Sequence, residues 1–578
     1  MKRWMKYVSP YKKYFIMGPL CMIIEVIGEM FMPIFLAEII NRANRGTLTV
    51  GSSIGIAALM ILTALIMMAG GVGGSYFGTK ASVNFAADLR NDVYEKVQTF
   101  SFSSIDKFST GSLVTRLTND VTQMQNMVNM MLRMMLRSPG MLIGGIIMAI
   151  RLKPSLSLVL AVSIPILLIS VGLLVYNGFS RFSRMQTKID DLNNTVKEDI
   201  TNIRVVKSFV REDHEEEKFK KANGELKDAG MNAMKIMIFM SPVMTIIMNL
   251  TTLAVIWFGG RIVLSGGMEP GDLSAFITYV TQILSSLMMV TMMFMMSSRA
   301  LASAKRVGEV LDETTDLNDL YAAHPEKEVE EGTVEFKNVT YRYNKTSEEP
   351  VLDKVNVRIP AGATVGIIGS TGAGKTTLVS MIPRLYDPDE GQVLVDGVDV
   401  KDYSLYNLRE GIGMVLQKNV LFSGSIAENL RWGDHDATDE EIRTVAQYAQ
   451  ADKFVTSFKD GYEHMLDQGG TNVSGGQKQR LCIARTLLKK PKILILDDST
   501  SAVDTATEAQ IRRAFREELS GSTKIIIAQR ISSVMEADFI IVMDDGCITG
   551  VGSHNELLAG NTEYQEIYYS QMEKKEAK

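Results

Sequence analysis

The chain has 578 residues, of which 46% are hydrophobic and 22% are charged, with a formal net charge of −5. This length predicts several domains rather than one core, and so small a net charge gives no support for a nucleic-acid partner. The three cysteines are scattered without metal-ligand spacing, so we expect a reduced chain without disulfides.

Long apolar stretches dominate the first half of the sequence. A helix needs roughly 20 mostly apolar residues to span a bilayer. The first stretch is longer than the apolar core of a signal peptide, so we expect it to remain as a membrane anchor. Six stretches qualify as spans, at residues 14–40, 54–80, 131–150, 155–177, 236–264 and 272–298. The sequence therefore predicts a membrane domain over 1–305, a linker over 306–331 and a second domain over 332–578.

Basic residues set the expected orientation in the membrane. The N-terminus and the long connections after the second and fourth spans are rich in Lys and Arg, and parity places all of them on one side. The positive-inside rule puts this side, together with the C-terminal domain, in the cytoplasm, so we expect a multi-pass protein of the cytoplasmic membrane. No proline interrupts residues 34–138 or 166–241. Helices that continue out of the membrane are therefore favoured over the alternative of solvated loops.

Two acidic residues lie in the middle of the first predicted span. Glu25 and Glu29 are four residues apart and share one helix face. A charge at the bilayer centre costs roughly 2.5–3.5 kcal/mol on insertion scales, so this face should avoid lipid. Lining a cavity for a cationic substrate is one interpretation. Pairing with a neighbouring helix, or simple protonation, is the other.

A phosphate-binding motif follows a strand-like run in the second domain. The run 364–368 leads into Gly369-Ser370-Thr371-Gly372-Ala373-Gly374-Lys375-Thr376-Thr377, which has the form G-x-x-x-x-G-K-T. In this strand–loop–helix context the glycines let backbone N–H groups surround phosphates at a helix N-terminus. We expect Lys375 to reach the β- and γ-phosphates of ATP and the Thr376 hydroxyl to bind Mg²⁺. Asp497, which ends a second apolar run, is the expected Mg²⁺ carboxylate, acting directly or through another ligand.

A second motif narrows the family. Val473-Ser474-Gly475-Gly476-Gln477-Lys478-Gln479-Arg480 lies between the P-loop and Asp497 and resembles the signature sequence of ABC (ATP-binding cassette) proteins. The chain as a whole resembles a half-transporter of the multidrug-type ABC exporter family, and the resemblance covers nearly all of it. The implied fold class is an α-helical membrane domain of six transmembrane helices with long cytoplasmic extensions, fused to an α/β P-loop ATP-binding cassette domain.

The resemblance also implies roles for residues around the nucleotide. Tyr343 matches the aromatic residue that stacks on adenine, with a tyrosine of the strand core as the alternative. Gln417 matches the glutamine that contacts Mg²⁺ and the attacking water. Ser501-Ala502-Val503-Asp504 matches the segment that crosses to the partner's site.

In this family two nucleotide-binding domains close head to tail, and each ATP lies between one P-loop and the other domain's signature. Ser474, Gly475, Gly476 and Gln477 would thus face the γ-phosphate of ATP on the partner, with Asp504 also directed there. The runs 108–120 and 198–207 resemble the first and second cytoplasmic coupling regions.

Two positions depart from the family pattern. Asp498 stands where the family usually has a glutamate that handles the attacking water, and Gln529 where it usually has a histidine that contacts the γ-phosphate. Asp498 is one methylene shorter, roughly 1.5 Å of lost reach. Gln529 can still donate a hydrogen bond, but it cannot become cationic near neutral pH as histidine can. With the P-loop and signature unaltered, the pattern resembles the degenerate-site subunit of heterodimeric ABC exporters.

The resemblance therefore implies a function with defined alternatives. We expect ATP-driven export of amphipathic small molecules by a heterodimer with a second half-transporter whose catalytic site is intact. The chain's own site would bind ATP and Mg²⁺ and hydrolyse slowly. The alternatives are a lipid translocator, a peptide exporter, or an ATP-gated regulator that does not pump.

Overall fold

A computed structural model describes residues 2–576, apart from 346, 348 and 499–503. The chain forms two compact units. The first comprises the residues up to 98 together with 111–312, and the second comprises 99–110 together with 313–578. The short segment 99–110 therefore belongs with the C-terminal unit, although the chain on either side of it belongs to the first. The linear division predicted from the sequence did not separate this segment.

Helices make up the N-terminal part of the chain. Among the described residues, six helical stretches are long and apolar enough to cross a membrane, which confirms the predicted spans. A π-helical turn, Arg116–Asp120, joins the fifth helix to the sixth. In chain order the helices are α1 (Lys2–Val8), α2 (Lys12–Asn44), α3 (Val50–Gln98), α4 (Phe102–Lys107), α5 (Thr110–Thr115), α6 (Val121–Met134), α7 (Arg137–Leu152), α8 (Pro154–Thr201), α9 (Ile203–Ser208), α10 (Glu212–Leu264) and α11 (Pro270–Asp312).

Three of these helices are much longer than a membrane is thick. α3 has 49 residues, α8 has 48 and α10 has 53. At 1.5 Å per residue each is about 70–80 Å long, against a hydrocarbon core of about 30 Å. The predicted helical extensions beyond the membrane are confirmed.

The third predicted span, 131–150, is not one uninterrupted helix. α6 ends at Met134 and α7 begins at Arg137. Pro139 explains the break, because proline has no N–H to donate to the carbonyl of Met135 and its ring crowds that carbonyl. The sequence placed Pro139 inside the span but did not predict its effect.

Small residues bring α2 and α3 together. A Cβ atom added at Gly70 would lie 2.8 Å from the backbone oxygen of Cys21, and one at Gly74 would lie 2.6 Å from Cε of Met22. Glycines spaced four apart allow such close backbone approach between membrane helices. α2 also contacts α11, where the buried Tyr279 hydroxyl donates to the Met30 carbonyl at 2.5 Å.

The C-terminal unit is an α/β domain. The elements of this domain are β1 (Val334–Tyr341), β2 (Leu352–Ile359), β3 (Thr364–Gly369), α12 (Lys375–Ser380), β4 (Glu390–Val395), β5 (Val398–Asp399), α13 (Leu405–Glu410), β6 (Ile412–Val415), β7 (Gly424–Ser425), α14 (Ile426–Leu430), α15 (Asp439–Tyr448), α16 (Asp452–Val455), β8 (Met465–Leu466), α17 (Gly475–Leu488), β9 (Ile493–Asp497), α18 (Thr505–Glu518), β10 (Thr523–Ile527), β11 (Phe539–Asp544), β12 (Cys547–Gly552), α19 (His554–Gly560) and α20 (Thr562–Glu576). A six-stranded sheet runs in the order β12-β11-β3-β10-β9-β6, and a four-stranded sheet runs in the order β2-β1-β4-β5.

Three parallel strands of the larger sheet place the predicted motifs at one edge. β10 lies between β3 and β9 and is parallel to both, with Ile527 opposite Ile367 on one side and Asp497 on the other. All five residues of β9 and all five of β10 are buried. Ligands of open α/β sheets bind at the carboxyl ends of the strands. The P-loop, Asp498 and Gln529 all follow strand ends at this edge.

Candidate functional site

The P-loop turns through backbone conformations that favour glycine. Gly372 has φ 93° and Gly374 has φ 87°. A Cβ atom at Gly374 would also lie 2.7 Å from the carbonyl oxygen of Val351. Gly374 immediately precedes α12, so the loop ends at a helix N-terminus, the arrangement of a phosphate-binding loop.

Lys375 lies within this loop. Its Nζ atom donates to the carbonyl oxygens of Gly369 at 2.9 Å and Ser370 at 2.6 Å. Burial lowers the pKa of the Lys375 ammonium, while the nearby carboxylates of Asp497 and Asp498 act to raise it. The half-buried amino group therefore lies against the backbone of the loop, where it is suited to an anionic phosphate.

Two of the three residues predicted for Mg²⁺, Thr376 and Asp497, lie in contact with each other. The Thr376 hydroxyl donates to the carboxylate of Asp497, at 2.9 Å from Oδ2 and 3.1 Å from Oδ1. Asp497 is 2% exposed. Burial raises the pKa of its carboxyl, against the hydrogen bond from Thr376, which lowers it. A hydroxyl and a carboxylate at this spacing beside the P-loop are the oxygen donors that Mg²⁺ prefers.

The two departures from the family pattern also lie together. Gln529 donates from Nε2 to Oδ2 of Asp498 at 2.8 Å. Gln417 hydrogen-bonds to the same carboxylate, and burial raises the pKa of Asp498 above its ordinary value. Asp498 has φ 46°, and its backbone N–H donates to the carbonyl of Ile527 at 3.0 Å. The structure thus brings Gln417, Asp498 and Gln529 into one cluster.

Tyr343 belongs to a cluster of three tyrosines. Its ring is 53% exposed, and its hydroxyl lies 3.0 Å from that of Thr377, the residue that ends the P-loop motif. The ring meets Tyr341 at 5.2 Å and Tyr386 at 5.3 Å, both edge to face. A residue this exposed suits the stacking of an aromatic base better than the alternative of a strand-core tyrosine. Tyr386 was not identified from the sequence.

The signature motif opens α17. Ser474 caps this helix, with its hydroxyl accepting from the backbone N–H of Gln477 at 3.3 Å while Oε1 of Gln477 accepts from the N–H of Ser474 at 2.8 Å. Ser474 and Gly475 are exposed. This leaves a capped helix N-terminus at the surface, which favours an anion.

The predicted crossing segment is described only in part. Ser501, Ala502 and Val503 lie outside the described residues. Asp504 caps α18 by accepting from the backbone N–H of Thr507 at 3.0 Å. That hydrogen bond lowers the pKa of the Asp504 carboxyl.

The segment 99–110 is held by the start of the linker and by the tyrosine cluster. Ser101, which caps α4, donates to Asp316 at 2.5 Å, and Lys107 pairs with Glu313 at 2.7 Å. The Phe102 ring lies 6.0 Å from that of Tyr386. The first coupling region was predicted over 108–120, yet only 108–110 fall within this segment, and residues 111–120 belong to the membrane unit.

The second predicted coupling region lies at the turn between α8 and α10. It contains all of α9 except Ser208, and α9 has no buried residue. Val205, Phe209 and Val210 are 54%, 73% and 80% exposed. The turn therefore presents an apolar surface to its surroundings.

The two acidic residues of the first span pair with an arginine of another helix. Nη2 of Arg137, at the start of α7, lies 3.2 Å from Oε1 of Glu25 and 3.3 Å from Oε1 of Glu29. The geometry therefore fits the interpretation in which the two acidic residues pair with a neighbouring helix. Two acidic side chains share this one arginine. The sequence did contain the signal: Arg137 falls inside the predicted span 131–150, where a basic residue needs a partner.

Sequence and structure comparisons agree on the family. Residues 15–287 match the ABC transporter transmembrane region, and residues 352–501 match the ABC transporter family. The uncharacterized ABC transporter ATP-binding protein YfiB of Bacillus subtilis (strain 168) is 36% identical over 583 residues, covering 99% of this chain and 98% of that protein. The ATP-dependent lipid A-core flippase of Syntrophus aciditrophicus (strain SB) is 33% identical over 485 residues, covering 84% of this chain and 80% of that protein.

A solved structure extends the likeness to the whole fold. A bacterial Atm1-family ABC exporter with ATP bound superposes with a TM-score of 0.79 at 25% sequence identity, covering 97% of this chain and 98% of that one. The P-loop and the Thr376–Asp497 pair fit ATP with Mg²⁺. This chain belongs to the ABC transporter family, as an exporter-type half-transporter in which a six-helix membrane domain is fused to one ATP-binding cassette.

Proposed function

We propose that this chain is one half of a heterodimeric ABC exporter of the cytoplasmic membrane, with its nucleotide-binding domain in the cytoplasm. Its own P-loop, Asp498 and Gln529 would form a site that holds ATP and hydrolyses it slowly. Its signature residues 474–477 would complete a second, fast site on the partner. The observation that carries this proposal is the pairing of Asp498 with Gln529 beside an otherwise complete cassette.

Slow hydrolysis follows from the geometry of the base. A general base must come within about 2.6–3.2 Å of the proton that it takes, directly or through one water. Asp498 is one methylene short, and its carboxylate already accepts hydrogen bonds from Gln529 and Gln417. A misplacement of about 1 Å can cost about 10²-fold in rate. Binding is spared, because Lys375, Thr376 and Asp497 keep the family pattern.

The neutral side chain of Gln529 removes a second contribution to hydrolysis, the positive charge of a histidine. Histidine can carry a positive charge near neutral pH and stabilise negative charge that develops on the γ-phosphate. The amide of Gln529 supplies a hydrogen bond without that charge. Both losses act on hydrolysis, whereas the intact signature serves the partner's site.

Amphipathic small molecules are the proposed substrate class. The lipid alternative has support from the relative named as a lipid A-core flippase, since the chain is 33% identical to it over 485 residues. The intact signature argues against a regulator that does not pump, because it would have no role unless the partner's site hydrolyses ATP. Substrate-stimulated ATPase activity of the pair, with transport into inside-out vesicles, distinguishes a pump from a regulator.

The central experiment compares the ATPase activity of this chain purified alone with that of the chain co-expressed with a second half-transporter. The neighbouring reading frame is the first candidate for the partner, and we expect Glu and His at the two equivalent positions there. Turnover should be low alone and high in the pair. Brisk, substrate-stimulated turnover by identical copies would refute the heterodimer.

Two substitutions in this chain test the division of labour between the sites. Gly476→Asp places a negative charge where the partner's γ-phosphate would lie, so turnover of the pair should fall about 10²-fold or more. Asp498→Asn removes only the weak base and should lower turnover less than about threefold. A large loss from Asp498→Asn would show that this chain's own site carries the hydrolysis.

A further inference from the structure

A side chain of the last helix bridges the backbone next to Gln529. Nε2 of Gln571, in α20, donates to the carbonyl oxygen of Gln529 at 2.9 Å. Oε1 of the same amide accepts from the backbone N–H of Ile531 at 3.0 Å. One amide group thus satisfies a donor and an acceptor two residues apart, as a neighbouring β-strand would.

The position of Gln571 is fixed by the anchoring of α20. Asn561 caps the helix by accepting from the N–H of Tyr564 at 2.7 Å, and its amide donates to the carbonyl of Thr549 in β12 at 3.1 Å. Tyr564 is fully buried, and its hydroxyl lies 2.7 Å from Nδ1 of His554. The first turn of α20 is therefore tied to the sheet and to α19.

The same face of α20 carries the contact to the loop. Ile567 and Tyr568 pack against the hydrophobic core that also contains Tyr564 and Ile531. Gln571 lies seven residues after Tyr564, so it projects from this buried face. Ile531 is thus held through its side chain by the core and through its N–H by Gln571. The backbone from 529 to 531 has little freedom to move.

We propose that Gln571 is a positioning residue of the nucleotide site, which holds the backbone at 529–531 so that Gln529 meets Asp498. It acts through Gln529 and does not touch the nucleotide itself. The C-terminal helix thereby becomes part of the machinery that retains nucleotide. The proposal rests on the proposed assignment of Asp498 and Gln529 to that site, but not on slow hydrolysis there.

Two substitutions separate the hydrogen bonds of Gln571. Gln571→Met keeps the length of the side chain and removes both bonds, whereas Gln571→Glu keeps the oxygen that accepts from Ile531. In the full-length chain with its partner, amide hydrogen exchange at Ile531 should become about tenfold faster in Gln571→Met and stay protected in Gln571→Glu. Trinitrophenyl-ATP should leave this chain's own nucleotide site about threefold faster in Gln571→Met, and the melting temperature of the variant should equal that of the parent protein.

Gln565→Met is the matched control on the same helix. The Gln565 amide donates to the carbonyl of Leu558 at 2.8 Å and does not reach the loop, so exchange at Ile531 and nucleotide release should stay as in the parent protein. Unchanged exchange and release in Gln571→Met would overturn the proposal. So would loosening throughout α19 and α20, which would make Gln571 a residue of helix stability only.

Failure of the proposed function would look different. If the parent protein failed to bind the nucleotide analogue, the assignment of the nucleotide site would be wrong. The exchange measurement at Ile531 would still test whether Gln571 holds the backbone at 529–531.

Discussion

The side-chain amide of Gln529 donates to the carboxylate of Asp498 at 2.8 Å. These are the two positions that the sequence predicts to depart from the family pattern, and the structure makes them hydrogen-bond partners. The short carboxylate of Asp498 accepts a hydrogen bond from the amide of Gln529, which carries no charge. Asp498→Glu or Gln529→His alone therefore disturbs the present pair without forming the glutamate–histidine pair of the family pattern.

We predict that Asp498→Glu with Gln529→His raises hydrolysis at this chain's own site. The glutamate recovers reach towards the water and the histidine can carry charge, so turnover should rise about 10-fold to 10²-fold. Either change alone should give a much smaller gain. Steady-state ATPase activity of the pair measures the effect in a Gly476→Asp background, which silences the partner's site in the proposed arrangement.

Additive gains from the two single variants would contradict this coupling. No gain from the double variant would place the cause of slow turnover elsewhere in the site.

A second prediction concerns Asp497. Burial raises its pKa in the folded protein, so the folded state holds a proton more readily than the unfolded chain. Ionising Asp497 therefore costs stability as pH rises through the raised pKa, and this cost is absent below the ordinary value of 3.8. Asp497→Asn should remove the cost and leave the melting temperature of the nucleotide-free protein unchanged or higher at pH 7.

The same substitution should weaken Mg²⁺ binding. In the Gly476→Asp background, which silences the partner's site in the proposed arrangement, titration of Mg²⁺ against the remaining ATPase activity should show at least about a tenfold loss of apparent affinity in Asp497→Asn. In the unaltered protein the Mg²⁺ affinity should fall on acidification at a higher pH than for an aspartate of ordinary pKa. A pH-independent Mg²⁺ affinity down to the ordinary range would contradict the role given to Asp497.

Local pattern accounts for much of what the sequence predicted. The P-loop, the run that ends at Asp497 and each of the six apolar stretches are continuous runs of sequence. The strand ends at 369, 497 and 527 meet because the parallel sheet brings them to one edge. Contacts between distant segments were not predictable in this way. Gln571 lies 42 residues from Gln529 in the chain and has no motif of its own. The contacts of 99–110 with the linker come from polar side chains that follow no periodic pattern, such as Ser101 with Asp316 and Lys107 with Glu313.

Helix packing in the membrane unit gives a third prediction. A methyl group at Gly70 would lie 2.8 Å from the backbone oxygen of Cys21, so α2 and α3 must separate in Gly70→Ala. Overpacking of this kind costs about 1–3 kcal/mol. Gly55→Ala is the control in the same helix, because its Cβ atom would meet nothing within 4 Å. Thermal unfolding in detergent should show a lower midpoint for Gly70→Ala only, and equal midpoints would contradict the packing.

The shared arginine of the membrane unit gives a fourth prediction. Arg137 contacts both Glu25 and Glu29, so either acid can neutralise it when the other is replaced. Glu25→Gln and Glu29→Gln should each lower the free energy of unfolding by less than about 1 kcal/mol. The double variant leaves a half-buried guanidinium unpaired and should cost about 3–5 kcal/mol, well beyond the sum. Replacing Arg137 by Met in the double variant should recover most of that loss.

Transport assays separate this structural role from recognition of cations. Arg137 is one guanidinium shared by two acidic side chains, so one of the two is left to contact a cationic substrate. Each single Gln variant should then weaken transport of cationic compounds more than that of neutral ones, at nearly unchanged stability. Equal losses for both classes of compound would limit Glu25 and Glu29 to holding α2 against α7. The second acidic side chain would then contribute nothing to the preference for cationic substrates.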